Sequence, residues 1–120
     1  MRVALAGLAA AVLLAGCGGG GGSSQPAGSI KVTMTEFKFD PSTINVSSGK
    51  VVFFLVNSGS QSHDMAIRDQ SKNRLATSEL ITAGDSKVFT VDNIAAGKYT
   101  FFCTQPGHED SGMVGSLTVT

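Results

Sequence analysis

A thiol, an imidazole and a thioether are clustered in the run Tyr99–Met113, which reads YTFFCTQPGHEDSGM. Cys103 is followed five residues later by His108, and Met113 follows after five more. Proline and glycine lie between the three residues, so a strand ending at Cys103 is predicted to run into a tight loop. Cysteine, two histidines and a weak axial methionine form the trigonal site of blue copper. The run therefore predicts three of the four ligands of such a site.

The fourth ligand would be a second histidine, and the whole chain has only His63 and His108. Taken singly, each candidate has a structural explanation: a lone buried cysteine is often a small core residue, and Met113 could fill a gap in the core. Taken together, the residue types match the soft and imidazole donors that copper prefers. Zinc could bind one cysteine and two histidines, but Met113 would then have no role.

The beginning of the chain predicts export. Arg2 precedes a short apolar run, so residues 1–16 are interpreted as a signal peptide. This run ends in LAGC, which resembles a bacterial lipobox and implies cleavage before Cys17 and lipid attachment to it. An ordinary signal peptide with an incidental cysteine is the alternative. We expect an exported protein, lipid-anchored to the membrane on its extracytoplasmic side, whether periplasmic or at the cell surface.

A glycine- and serine-rich stretch, residues 17–29, follows as a predicted flexible linker, and residues 30–120 are the predicted folded domain. If Cys17 carries lipid, Cys103 is the one remaining thiol in an oxidising compartment. Charge is nearly balanced: the chain has 9 basic and 9 acidic side chains, and removal of the signal with Arg2 gives a net charge of −1. This balance gives no support for nucleic-acid binding. We also expect the protein to be a monomer.

The domain is predicted to be all-β, with about seven or eight short strands and no helix. The residues from Ile30 alternate in polarity until a predicted bulge or kink near Thr35–Glu36. Val51–Val56 is a continuous apolar run, typical of a strand buried on both faces. Arg68–Thr77 is polar and is interpreted as a surface excursion that could include a helical turn.

Asn57, Gly59 and His63, followed by YTFFCTQPGHEDSGMVGSLTV, resemble the cupredoxins, the type 1 blue copper proteins of the plastocyanin, azurin and rusticyanin kind. The resemblance covers Ile30–Thr120. It implies a Greek-key β-sandwich that binds one copper ion and transfers single electrons. It also implies three equatorial ligands and one axial ligand, with two residues in the surrounding shell. The equatorial ligands would be His63, Cys103 and His108, the axial ligand Met113, and the surrounding residues Asp64 and Asn57.

Several expectations concern the surroundings of this site. Asp64 either favours the oxidised ion or has a hydrogen-bond partner, and Glu109 with Asp110 gives the site edge negative charge. Met65 is a rival thioether that we assign to the core. The ring edge of His108 is expected to reach the surface, where an apolar patch would dock transient redox partners.

The sequence shows no acid–base pair and no nucleophile with a base, so an enzyme is not predicted. The first function predicted is electron transfer between redox partners outside the cytoplasm. The alternative is an extracytoplasmic copper carrier or resistance protein without redox cycling. A copper-free structural module on the same fold would leave four intact candidate ligands unexplained.

Overall fold

The computed structural model describes residues 23–120, so the predicted signal peptide, Cys17 and the first part of the linker lie outside the described residues. The described chain forms nine strands and no helix. The strands are β1 (Ile30–Thr35), β2 (Lys38–Asp40), β3 (Thr43–Val46), β4 (Gly49–Asn57), β5 (Ala66–Asp69), β6 (Arg74–Thr77), β7 (Ser86–Ile94), β8 (Gly97–Phe102) and β9 (Val114–Val119). Within residues 23–120 the structure contains no helix that is long and apolar enough to cross a membrane.

The strands form two sheets that pack as a sandwich. One sheet has four strands in the order β2-β1-β4-β7, and the other has five in the order β3-β9-β8-β5-β6. Strands β1 and β4 pair in parallel, as do β3 and β9, and the other pairings are antiparallel. This arrangement confirms the predicted all-β class and is consistent with the Greek-key sandwich.

The core between the sheets is rich in phenylalanine. In β4, Phe53 and Leu55 are fully buried, and Phe54 on the opposite face is also buried, as the apolar run predicted. Phe53 stacks on Phe89 of β7 with 5.9 Å between ring centroids. Phe39 meets Phe101 edge-on at 5.1 Å. Each such side chain contributes about 1.5–3 kcal/mol through burial, so the core holds the strand ends at the site in fixed positions.

The structure confirms a break near Thr35–Glu36 and a surface excursion over residues 68–77, but it corrects the form of each. The break near Thr35–Glu36 is a turn between two strands rather than a bulge, because Thr35 of β1 pairs with Lys38 of β2. The polar stretch 68–77 belongs to the hairpin of β5 and β6 and contains no helical turn. Strand β6 lies at the edge of its sheet with three of its four residues exposed, so its sequence lacks the alternation that marks a half-buried strand.

Part of the predicted linker contacts the domain. The Ser23 amide donates to the Ser86 carbonyl at 3.3 Å, and the Ser86 hydroxyl donates to the Ser23 carbonyl at 3.2 Å. Ser23, the first described residue of the linker, therefore lies beside the start of β7.

Candidate metal centre

Three side chains converge at one end of the sandwich. The Nδ1 atoms of His63 and His108 are 3.2 Å apart. The Cys103 sulfur lies 3.9 Å from Nδ1 of His63 and 3.5 Å from Nδ1 of His108. Among the described residues these three form a group of potential ligands to a single metal ion, and all three are buried. The structure thus brings together the three residues predicted as equatorial ligands.

His63 is fixed by two backbone hydrogen bonds to Ile81. The His63 amide donates to the Ile81 carbonyl at 3.0 Å, and the Ile81 amide donates back at 2.8 Å. The outward ring nitrogen of His63, Nε2, lies 3.2 Å from Oε1 of Glu36. The ring is fully buried, so its orientation is set by this carboxylate on one side and by the candidate site on the other.

Asn57, at the end of β4, supports His63 indirectly. Its side-chain amide donates to the carbonyls of Ile81 and Gln61, both at 2.8 Å, and its carbonyl oxygen accepts from the Gly59 amide at 3.0 Å. The buried Asn57 side chain is thereby fully hydrogen-bonded. It fixes the loop that precedes His63 and the strand segment that pairs with it, without contacting the imidazole itself.

The loop from Cys103 to Met113 closes on itself through backbone hydrogen bonds. The Cys103 amide donates to the Met113 carbonyl at 3.2 Å, and the Met113 amide donates to the His108 carbonyl at 3.0 Å. Gly107 and Gly112 adopt φ angles of 79° and 111°, which side-chain-bearing residues rarely take. The five-residue spacings read from the sequence therefore correspond to consecutive turns that return both His108 and Met113 to Cys103.

His108 is more covered than predicted, with 8 % of its surface exposed. Its Nε2 lies 3.0 Å from Oε1 of Gln61, whose side chain therefore screens the outer edge of the ring. Phe37 packs edge-on against the same ring, with 4.9 Å between centroids. The ring edge of His108 is thus largely covered by Gln61 and Phe37.

The two imidazoles share one orientation, in which Nε2 meets an acceptor oxygen and Nδ1 points inward. When an oxygen accepts from Nε2–H, the neutral ring presents a lone pair at Nδ1. Two inward lone pairs and a sulfur at 3.2–3.9 Å from one another suit a central cation. In the metal-free protein the Cys103 thiol can donate a hydrogen bond to one of these two nitrogens. The side chains present therefore fit a metal ion with two nitrogen donors and one sulfur donor.

Burial sets the charge state of these ligands. It raises the pKa of the Cys103 thiol above its ordinary value, so that the metal-free thiol is protonated at neutral pH. Burial also lowers the pKa of His63, although Glu36 opposes the shift, so this imidazole is neutral. Cys103 would therefore have to lose its proton in order to hold a metal ion, whereas His63 is already neutral and could act as a donor without losing one.

The two candidate methionines occupy different places. Met113 is fully buried and lies on the ligand loop, hydrogen-bonded through its backbone to Cys103 and His108. Met65 is also fully buried. Its amide donates to the Ser78 hydroxyl, and its carbonyl accepts from the Ser78 amide. Both methionines belong to the hydrophobic core cluster. Met113 as the axial ligand remains a prediction, now supported by its place on the loop.

Asp64 has a hydrogen-bond partner, the second of the two possibilities raised by the sequence. Its Oδ1 accepts from the Thr104 amide at 2.7 Å, and its Oδ2 accepts a short bond from the Thr104 hydroxyl. Asp64 is only 5 % exposed. Asp64 directly follows His63, and Thr104 directly follows Cys103. The hydrogen bonds between Asp64 and Thr104 therefore link the two chain segments that carry these candidate ligands.

The predicted negative edge of the site is partly neutralised. The Arg68 guanidinium donates to both carboxylate oxygens of Glu109, at 3.0 and 2.7 Å, and lowers the pKa of that carboxyl group. Arg68 also lies over the Phe102 ring at 4.3 Å. Asp110, the next residue, is exposed at the same edge.

Sequence reasoning missed the outer partners of the two imidazoles, Glu36 and Gln61. Glu36 is 27 residues from His63, and Gln61 is 47 residues from His108. The break in alternation near Thr35–Glu36 was the one available signal, because it marked a turn at this end of the sandwich. The break did not indicate that the turn would contact the loop that precedes His63.

Two sheets with this strand order, closed at one end by two histidines and a cysteine, define a small metal-binding β-sandwich. The family model described as "Cupredoxin-like domain" matches residues 4–119. The chain belongs to this family.

Individual relatives agree with that assignment. The chain is 37 % identical over 78 residues to auracyanin-B of Chloroflexus aurantiacus, a match that covers 62 % of this chain and 33 % of the relative. It therefore spans about a third of that relative's length. It is 32 % identical over 88 residues to plastocyanin of Lactuca sativa, covering 68 % of this chain and 86 % of that one. It is also 27 % identical over 119 residues to the copper-resistant cuproprotein CopI of Rubrivivax gelatinosus, covering 85 % of this chain and 72 % of CopI.

A solved structure supports the fold. Auracyanin A, described as a "blue" copper protein from Chloroflexus aurantiacus, superposes with a TM-score of 0.69 at 23 % identity. The superposition covers 83 % of this chain and all of auracyanin A.

Proposed function

We propose that this protein is a type 1 copper protein that transfers single electrons between redox partners outside the cytoplasm. The observation that carries the proposal is the buried group of Cys103 Sγ with Nδ1 of His63 and His108, 3.2–3.9 Å apart. This donor set, with a methionine on the same loop, matches the His₂Cys site with a weak axial thioether. Membership of the cupredoxin family supports copper as the cofactor.

The protein residues have distinct tasks in this proposal. His63 and His108 supply neutral nitrogen donors, Cys103 supplies a thiolate once its proton leaves, and Met113 supplies a weak axial thioether. A bound copper ion would supply the one-electron Cu(II)/Cu(I) couple. The hydrogen-bonded loop and the packed core keep the donors in place, so little needs to move when the charge changes. Because His63, Cys103 and Met113 are almost fully buried and leave little room for a substrate, we propose a carrier rather than an enzyme.

The surface above His108 is the proposed docking site for a transient protein partner. Four exposed residues of low polarity lie on the loop that carries His108 or directly after it: Pro106, Gly107, Gly112 and Val114. Small, weakly bound interfaces suit brief electron-transfer encounters. We propose that the protein acts as a monomer.

Addition of Cu(II) to the metal-free protein tests the function. We expect an intense visible colour at one copper per chain, bleached by a mild reductant and restored by reoxidation. A colourless complex, or colour that does not return, would contradict electron transfer.

Copper carriage without redox cycling is the second candidate, favoured by the similarity to CopI. A carrier must expose its ion to an incoming ligand, whereas His63, Cys103 and Met113 are at most 1 % exposed here. Transfer of Cu(I) to a chelator separates the two functions. Slow transfer supports electron transfer, and rapid transfer in the absence of a reversible colour change would favour carriage.

We further propose that Cys17 carries a lipid anchor, which would place the domain outside the cytoplasm. The support is the lipobox-like LAGC followed by the glycine-rich stretch. Replacement of Cys17 by Ser should release the protein from membranes while leaving the copper colour unchanged. If salt alone extracts the wild-type protein, without detergent, the anchor proposal is wrong.

A further inference from the structure

The turn between β1 and β2 places Glu36 against the outer side of the candidate metal centre. A single oxygen of this carboxylate, Oε1, makes all of its described contacts. It accepts from the amides of Ser60 and Gln61, at 2.8 and 2.6 Å, and lies 3.2 Å from Nε2 of His63. The carboxylate is therefore held by backbone groups while it faces an imidazole nitrogen.

Glu36 is also connected to the other imidazole. Its bond to the Gln61 amide fixes the residue whose side chain meets Nε2 of His108 at 3.0 Å. The next residue in the same turn, Phe37, packs edge-on against the His108 ring. One turn of the first sheet thus contacts both candidate imidazole ligands on the side away from the metal position.

Gly59 provides the space that this carboxylate occupies. A Cβ atom at position 59 would lie 2.5 Å from Oε1 and 2.6 Å from Oε2 of Glu36. Any larger residue would displace the carboxylate from His63. The glycine that the sequence placed between Asn57 and His63 therefore has a defined steric role.

We propose that Glu36 is a positioning residue of the metal centre, acting on copper through His63 and through the loop that carries Gln61. It keeps the proton of His63 on Nε2, so that Nδ1 is free to bind. As an anion bonded to the ligand ring, it makes the ring a stronger donor and stabilises Cu(II) more than Cu(I). The inference rests on the proposed copper function, and its effect is to lower the reduction potential.

Three substitutions separate the effect of the Glu36 charge from the effect of its geometry. In Glu36→Gln the amide oxygen can replace Oε1 in all three contacts, while the amide nitrogen takes the place of Oε2. This variant should retain the His63 tautomer and the copper colour but raise the reduction potential. Glu36→Ala removes the acceptor, and its Cu(II) affinity should fall by about 10- to 100-fold. Gly59→Ala, which leaves Glu36 in the sequence but displaces its carboxylate, should resemble Glu36→Ala.

Asp92→Asn is the matched control, because it removes one exposed negative charge from the far end of β7, two residues before Ile94, which pairs with Gly49. Its potential should stay at the wild-type value. If Glu36→Gln shifts the potential no more than Asp92→Asn does, the proposal is overturned, and Glu36 is only a loop anchor.

Nitrogen-15 NMR of the metal-free protein provides a reading that does not depend on copper. At neutral pH the wild-type His63 should carry its proton on Nε2, and Glu36→Ala should lose this preference. A wild-type His63 protonated on Nδ1 would overturn the proposal. Failure of the copper function would show differently, as a wild-type protein with no reversible copper couple but with the His63 tautomer still dependent on Glu36.

Discussion

Asp64→Ala should destabilise the metal-free protein through the loss of its two bonds to Thr104. Hydrogen bonds to a charged group contribute about 1.5–3 kcal/mol each. Asp64 is 5 % exposed and accepts both from the Thr104 amide and from its hydroxyl. Thr104 is only half-buried, so water can satisfy part of what is lost. We therefore expect a loss of about 2–4 kcal/mol from the free energy of unfolding, a large part of the roughly 5–15 kcal/mol typical of a domain.

Urea unfolding of the metal-free protein measures this loss. Asp92→Ala, at an exposed position of β7, is the control and should change the free energy by no more than about 0.5 kcal/mol. Thr104→Val removes the hydroxyl and keeps the amide, so Asp64→Ala should cost less in that background than in the wild type. If Asp64→Ala and Asp92→Ala unfold alike, the bonds between Asp64 and Thr104 contribute nothing to stability, and the reasoning fails.

Further predictions concern copper. Asp64→Asn retains an acceptor for the Thr104 amide but removes one buried negative charge, so voltammetry should show a higher reduction potential; an unchanged or lower value would contradict this. Because burial raises the pKa of the Cys103 thiol, Cu(II) binding must release its proton. Near neutral pH the thiol should therefore contribute a tenfold rise in affinity per pH unit, about 1.4 kcal/mol, which Cys103→Ser should abolish. Met113→Gln should lower the reduction potential and Met113→Leu should raise it, whereas the control Met65→Leu should leave it unchanged. A shift seen only in Met65→Leu would show that Met113 is not the axial ligand.

The ligand loop could be predicted from sequence because its chemistry and its turns are local. Cys103, His108 and Met113 are spaced by residues that favour tight turns, and Gly107 and Gly112 adopt the positive φ angles that such turns require. His63 could be assigned by elimination, since the chain has one other histidine.

The surroundings of the site could not be predicted in the same way. Glu36 meets His63, and Gln61 meets His108, through loops brought together only by the packing of two sheets. No periodic pattern reports such a contact. Strand β6 was missed for a different reason: an exposed edge strand has no buried face, so Arg74–Thr77 has the sequence pattern of a polar loop.

X-ray absorption at the copper edge tests the central claim most directly, because it identifies the atoms bound to the metal. The account predicts one short sulfur contact and two imidazole nitrogens in the copper-loaded wild-type protein. Cys103→Ser should lose the short sulfur contact together with the visible colour, and His63→Ala should lose one imidazole. A wild-type spectrum without a short copper–sulfur contact, or one unchanged in Cys103→Ser, would contradict the proposed site.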